Sequence, residues 1–245
     1  MSKKPKNQPH RHRSGLQEFV VPGLIFGGAI IVALLVLMFG NELTGGGGSS
    51  EPVGTEISAS LEEKFVSEYD KLGVATGPED AELVVREFAD YQCPACGAFA
   101  PTVRKIREEY ADAGKLKFVF FDFPLSVHGN AKIAASAARC AARQKAFWPF
   151  HEKLFANQSR WSGQSDPTGT FLDLAVESGV SVAPFKQCLE QGATDQVVDE
   201  NARIAREVGV SSTPTILIGR KAFSGVKAYD VLKAEIDNQL AAQAQ

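Results

Sequence analysis

Residues 81–123 read AELVVREFADYQCPACGAFAPTVRKIREEYADAGKLKFVFFDF, and the order of signals in that stretch decides the fold. AELVVREFADY is a β-rich run, and KLKFVFFDF is a second, nearly continuous apolar strand. Between them, CPACGAFAPTVRKIREEYADAG carries a helical pattern that stops at Gly114. Strand, helix and strand in that order imply a parallel pair joined by a crossover. Cys93 and Cys96 stand where the first strand gives way to the helix.

A helix beginning at or just after Cys93 explains their spacing. Pro94 suits the first helical position, because its missing N–H would be unsatisfied there anyway, and Cys96 returns to the same face almost one turn later. The two sulfurs can then meet. The unpaired N–H groups and the positive dipole end of that helix stabilise a thiolate, and thiols in such motifs fall in pKa from about 8.5 to roughly 3.5–7.5. Cys93 is the expected nucleophile and Cys96 the resolving thiol. Structural zinc and a pair of inert buried thiols are the weaker readings. Zinc needs four ligands, usually from a second C-x-x-C or a close His pair, and this chain has neither. No metal and no cofactor are expected.

Downstream, residues 129 to about 209 are helical, from an alanine-rich amphipathic run to a helix that stops at Gly209. TPTILIG and KAFSG then read as a strand pair across a glycine-containing turn, and a terminal amphipathic helix follows. Upstream, Phe19 to Phe39 is overwhelmingly apolar, and no charged residue lies between Glu18 and Glu42. As a helix those 21 residues span roughly 31 Å, close to a hydrocarbon core of about 30 Å. The run is too long for the apolar core of a signal peptide and lacks a small-residue cleavage site, which favours a retained membrane anchor.

The 245 residues carry a net charge of −3, distributed unevenly. Lys3, Lys4, Lys6, Arg11 and Arg13 precede the first acid, while residues 18–245 hold 21 basic and 29 acidic groups. A basic tail before the span places the N-terminus in the cytoplasm and everything after Asn41 outside. The expected organisation is a cytoplasmic tail at 1–18, a transmembrane helix at 19–40, and a tether with a short amphipathic helix at 41–75. The folded domain then occupies 76–245, with its helical insertion at about 128–209. The tether GGGGSS is flexible, with a reach on the order of 13 Å. Ser60 is the expected cap of the amphipathic helix, which sets Leu61, Phe65, Tyr69 and Leu72 on one side.

VVREFADYQCPAC, KFVFFDFPL, HGNAKIAASAARCAA, FWPFHEKLFANQ and VGVSSTPTILIG occur in that order. Together they resemble the DsbA-like thioredoxin-fold disulfide oxidoreductases, in particular the membrane-anchored bacterial branch. The resemblance covers about residues 76–239. It implies an α/β thioredoxin fold with an inserted helical domain, here preceded by one transmembrane helix, acting on cysteines of exported proteins at the bacterial cytoplasmic membrane. It also implies a loop at Thr213–Pro214 beside the dithiol, with a cis peptide bond whose Thr213 backbone can pair with an extended client. Pro214 would shield the sulfurs from metals.

Glu87 lies six residues before Cys93 in an otherwise apolar strand. Two readings stay open: a buried acid of raised pKa that moves a proton to or from Cys96, which the acidic family position favours, or a solvent-facing residue at a strand edge. Cys140 and Cys188 both fall in the helical block. In an oxidising compartment they are expected to form a structural disulfide, a second redox couple being the alternative. His128 and His151 are expected to be structural, and Phe147, Trp148, Phe150 and Phe155 to belong to the core of the helical block.

The expected activity is a membrane-tethered thiol:disulfide oxidase forming disulfides in cysteine-containing exported clients, reoxidised by a quinone-linked membrane partner. The alternatives are a reductase or isomerase fed by a membrane electron transporter and, less favoured by the intact C-x-x-C, a non-catalytic tethered chaperone. No nucleic-acid partner is expected. Ala95 adds no acidic or hydrogen-bonding group between the cysteines, so the expected potential lies between the extremes of the superfamily, nearer the oxidising end.

Overall fold

The computed structural model describes residues 54–243. The basic tail, the expected membrane span at 19–40 and the glycine tether lie outside the described residues. Among the described residues, no helix is long and apolar enough to cross a membrane.

Strands β1 (Thr55–Glu56), β2 (Val74–Thr76), β3 (Val84–Ala89), β4 (Lys117–Asp122), β5 (Thr215–Ile218) and β6 (Lys221–Ser224) form one sheet in the order β1-β6-β5-β3-β4-β2. The expected crossover is present: β3 and β4 are parallel, joined by helix α2 (Pro94–Ile106), which continues into a π-helical turn at Arg107–Ala111. All other strand pairs are antiparallel. β3 lies between β4 and β5, and every one of its six residues is buried. Alternation along β3 therefore sends Val85 and Ala89 into one apolar layer and Val84 and Phe88 into the other.

The first layer holds α2 and the terminal helix, here α9 (Tyr229–Gln243), with Phe99, Val103, Ile106, Leu232 and Ile236 packed on the sheet. Between β4 and β5 come α3 (Ala131–Ala142), α4 (Phe147–Ala156), α5 (Gln158–Trp161), α6 (Thr168–Glu177), α7 (Val182–Glu190) and α8 (Asp195–Glu207). Six alanines of α3 are buried, so neighbouring helices approach its backbone closely. Gly114 and Gly209, read as helix stops, have φ of +76° and +80°, a conformation that glycine adopts without steric cost. Phe147, Phe150 and Phe155 are buried in the core, and Trp148 is half-buried against it.

The second layer contains a segment that precedes the expected start of the domain and whose packing the sequence leaves undecided. Helix α1 (Ala59–Lys64) and the π-helical turn Phe65–Tyr69 pack Phe65 and Tyr69 against Phe88 and Phe121. Arg86, fully buried on this face, is held by Asp70 at 2.7 and 2.8 Å and by Glu62 at 2.8 Å. β1 and β2 complete the two edges of the sheet. A boundary at Thr76 thus cuts through the packed layer, and residues 54–75 belong to the domain. The cap of α1 also differs from expectation. Ser58, not Ser60, has the extended backbone a cap requires (φ −67°, ψ 153°), and its Oγ accepts from the Leu61 N–H at 3.2 Å.

Candidate active site

Cys93 is the N-cap of α2, with φ −68° and ψ 121°, and Pro94 occupies the first helical position. The Gly97 N–H donates to the Cys93 carbonyl at 3.1 Å, closing the first turn and returning Cys96 to the side of Cys93. Both thiols are free and buried, Cys93 being 7% and Cys96 1% exposed. The Thr213–Pro214 peptide bond is cis, and the Cys93 thiol donates to the Thr213 carbonyl at 3.6 Å.

The two sulfurs differ in charge preference. Cys93 is pulled down to about 5, first by the hydrogen bond from the Cys96 thiol and then, against the opposing effect of burial, by Thr213 and by the N–H groups of Cys96 and Ala95. Cys96 is pushed far up by its hydrogen bond to Cys93 and by burial. The pair therefore holds its first negative charge on Cys93, while Cys96 remains a thiol. Among the described residues the buried Thr213 hydroxyl has no hydrogen-bond partner while Cys93 is a thiol, which leaves its proton available to the Cys93 thiolate once Cys93 ionises and stops donating.

Glu87 lies on the central strand and is 2% exposed, so the solvent-facing reading at a strand edge is excluded. Its face of β3 is that of Val85 and Ala89, which pack in one cluster with Cys93, Cys96 and Phe99. Burial raises its pKa to about 8. Its carboxyl therefore holds its proton more strongly than that of an exposed glutamate.

The approach to Cys93 is tied down on every residue. Asp90, fully buried, accepts from the N–H groups of Gln92 (2.7 Å) and Leu125 (2.8 Å) and pairs with His128 Nδ1 at 2.7 Å. The Tyr91 hydroxyl lies 2.8 Å from His151 Nδ1. His151 is held neutral, its pKa lowered to about 3 by burial and by the Arg107 guanidinium. Gln92 donates to the Ser162 carbonyl at 2.8 Å and accepts from the Asn130 N–H at 2.6 Å. Gln158 Nε2 donates to the carbonyls of Tyr91 (2.7 Å) and Cys93 (2.9 Å). Asp90, Gln92, Asn130 and Gln158 escape a reading of the sequence because their partners lie 35 to 70 positions away. The one local signal is Gly97, an unexplained glycine inside a helix.

Cys140 of α3 and Cys188 of α7 are joined in a disulfide within the helical insertion, with a Cα–Cα distance of 5.9 Å. Among the described residues, no group of three or more His, Cys, Asp or Glu side chains could hold a metal ion.

A family model described as Thioredoxin matches residues 70–238. Disulfide bond formation protein D of Bacillus subtilis (strain 168) is 31% identical over 170 residues, covering 67% of this chain and 75% of that protein. The crystal structure of oxidised BdbD from Bacillus subtilis superposes with a TM-score of 0.63 at 27% identity, covering 78% of this chain and 100% of the other. The thiol-disulfide exchange protein alpha-DsbA2 of Wolbachia pipientis shares the fold, with a TM-score of 0.61 at 21% identity over 74% of this chain and 96% of its own. Na(+)/H(+) antiporter NhaA 3 of Salinispora tropica is 30% identical over 161 residues, which make up 65% of this chain but 24% of the antiporter. This chain therefore spans only about a quarter of that relative. Because the thioredoxin match runs through both layers of the sheet and the dithiol, and a disulfide bond formation protein is related over three quarters of its length, this chain belongs to the thioredoxin family as a DsbA-like thiol–disulfide oxidoreductase.

Proposed function

We propose that the protein is a membrane-tethered oxidase that forms disulfides in exported proteins through Cys93 and Cys96. The observation that carries this reading is the asymmetry of the dithiol, with Cys93 held at about 5 and Cys96 well above its ordinary value. The Cys93–Cys96 disulfide contains no thiolate. Whatever stabilises the Cys93 thiolate therefore stabilises the reduced enzyme and makes the disulfide a stronger oxidant.

In the proposed cycle a client thiolate attacks Cys93 Sγ, forming a mixed disulfide and breaking the bond to Cys96. Cys96 leaves with the electron pair and takes a proton, and Glu87, protonated at neutral pH, is its source beneath the helix. A second client thiolate then attacks the client sulfur of the mixed disulfide. Cys93 departs as a stable thiolate, the client carries the new disulfide, and the enzyme holds two electrons. Thr213 and Pro214 form the client-binding edge, where the Thr213 backbone pairs with an extended segment beside the mixed disulfide. A quinone-linked membrane partner removes the two electrons. Cys140–Cys188 takes no part in the cycle and staples the insertion.

The apolar run at 19–40, after five basic residues, supports a single-pass anchor in the bacterial cytoplasmic membrane with the catalytic domain outside. Carbonate-resistant pelleting and protease access from the outside alone are expected; a soluble product beginning near residue 40 would overturn the anchor. Direction is decided by equilibrating the full-length protein against glutathione buffers. The expected potential lies between about −270 mV (thioredoxin) and about −120 mV (DsbA), nearer the latter. A value as negative as thioredoxin's assigns the couple to reduction.

A further inference from the structure

We propose that Gln158, a residue of the helical insertion, is a positioning residue that holds the Cys93 peptide and so sets how oxidising the Cys93/Cys96 couple is. The inference rests on the oxidoreductase reading of that couple and adds to it a residue outside the thioredoxin core.

Both hydrogens of one amino group are committed to this task. Gln158 Nε2 donates to the Tyr91 carbonyl at 2.7 Å and to the Cys93 carbonyl at 2.9 Å. The Cys93 carbonyl also accepts from the Gly97 N–H at 3.1 Å, so it is fixed jointly by the first turn of α2 and by α5. Neighbouring contacts hold the flanking residues: Tyr91 on His151 of α4, and Gln92 on the Ser162 carbonyl beyond α5. Gln158 is the member of this set that touches the reactive residue itself.

The sequence of α2 makes room for it. Gly97 lies inside a helix, and its φ is not in the left-handed region, so its backbone gives no reason for glycine. Glycine there disfavours the helix relative to alanine. A Cβ at this position would stand 2.9 Å from Gln158 Oε1, 3.2 Å from Cδ and 3.3 Å from Nε2. The absent side chain is therefore the notch that the carboxamide fills, directly after Cys96.

The electrostatic consequence has a definite sign. The amino end of the carboxamide, its positive end, points at the carbonyl of the residue that carries the thiolate. Without this donor the negative end of the Cys93 carbonyl is less compensated, in a buried setting where charges interact strongly. The thiolate then loses stabilisation, the reduced form becomes less favoured, and the couple becomes less oxidising.

The test uses full-length protein in detergent and measures the reduction potential against glutathione together with the pH profile of Cys93 alkylation. Gln158→Met preserves length and removes both donors. Gly97→Ala displaces the carboxamide while favouring the helix, so it serves even where Gln158→Met fails to fold. Each is expected to weaken the couple as an oxidant about threefold, about 15 mV toward the negative, and to move the alkylation midpoint upward. The double variant is expected to shift no further than either single one, because both changes remove the same contact. An unchanged potential in Gly97→Ala, or in folded Gln158→Met, overturns the inference, as do additive shifts in the double variant. A wild-type potential near that of thioredoxin overturns the oxidase reading while leaving these differences measurable, so the two failures are distinct.

Discussion

Glu87 and Phe120 are register partners in the parallel pair β3–β4, and on the opposite side Glu87 faces Ile216 of β5. A carboxyl group is thereby seated between two apolar side chains in the middle of the sheet, on the face that carries the dithiol helix. Among the described residues no hydrogen bond to its side chain offsets the burial that raises its pKa to about 8.

Stability should report this acid directly. An unfolded Glu87 ionises near 4.5 and the folded one near 8. Between those values the native state binds the extra proton, so stability falls as pH rises through the window and levels off above it. Glu87→Gln, neutral throughout, should lose this dependence and exceed the wild type near pH 8 by a few kcal/mol, following from the size of the shift. Urea midpoints at pH 5 and pH 8 measure it; a wild-type midpoint that does not fall relative to the variant contradicts a buried, ionisable Glu87. The same variant should slow release of the Cys96 thiol in single-turnover exchange.

Alkylation of the reduced protein should show Cys93 reacting with a midpoint near pH 5, while Cys96 stays unreactive well above it. Because the Cys96 thiol is the largest influence lowering Cys93, Cys96→Ala should raise the midpoint, and Cys96→Ser, which keeps a donor, should raise it less. In cells Cys93→Ser should abolish exchange and Cys96→Ser should accumulate mixed disulfides with clients. Equal reactivity of the two thiols at pH 6 would remove the asymmetry on which the oxidase reading stands.

The Cys140–Cys188 bridge closes a loop of 48 positions. In the chain-entropy account such a loop stabilises the fold by about 4 kcal/mol, so the double alanine variant should unfold at correspondingly lower denaturant. Peptide mapping without reduction should recover the two cysteines linked even after mild reduction of Cys93 and Cys96. Free thiols at both positions in protein from its native compartment would reject a structural bridge.

Arg139 of α3 joins three elements beneath the insertion. It donates to Asp122 of β4 at 2.5 Å, to Asn201 of α8 at 2.6 Å and to the Leu72 carbonyl at 3.0 Å. Arg139→Met should cost about 3–5 kcal/mol, because it strands the carboxylate of the fully buried Asp122. Adding Asp122→Asn should recover part of that loss. A double-mutant cycle in urea measures the coupling, and strictly additive effects would deny it.

The strand–helix–strand order of residues 81–123, the placement of Cys93 at a helix start and the glycine stops at 114 and 209 were legible in the sequence, because each depends on neighbours within a turn or a strand. The same locality explains the failures. β1 and β2 have two and three residues, too few to carry a period, and they exist because β6 and β4 offer open edges. Ser58 displaces Ser60 as the cap of α1 through a backbone angle that composition does not express.

What the sequence by itself determined is the chemistry available: two thiols one turn apart at the positive end of a helix, and one acid in an apolar strand. What only the tertiary structure decided is the environment of each. Period-two alternation allowed Glu87 to face solvent, and it was the central position of β3, between β4 and β5, that buried it. Cys93 and Thr213 stand 120 positions apart, and Cys93 and Gln158 stand 65 apart. Contacts at such separations arise when the sheet and the insertion close around the dithiol, and pKa and hydrogen bonding depend on every group brought near, whatever its place in the chain.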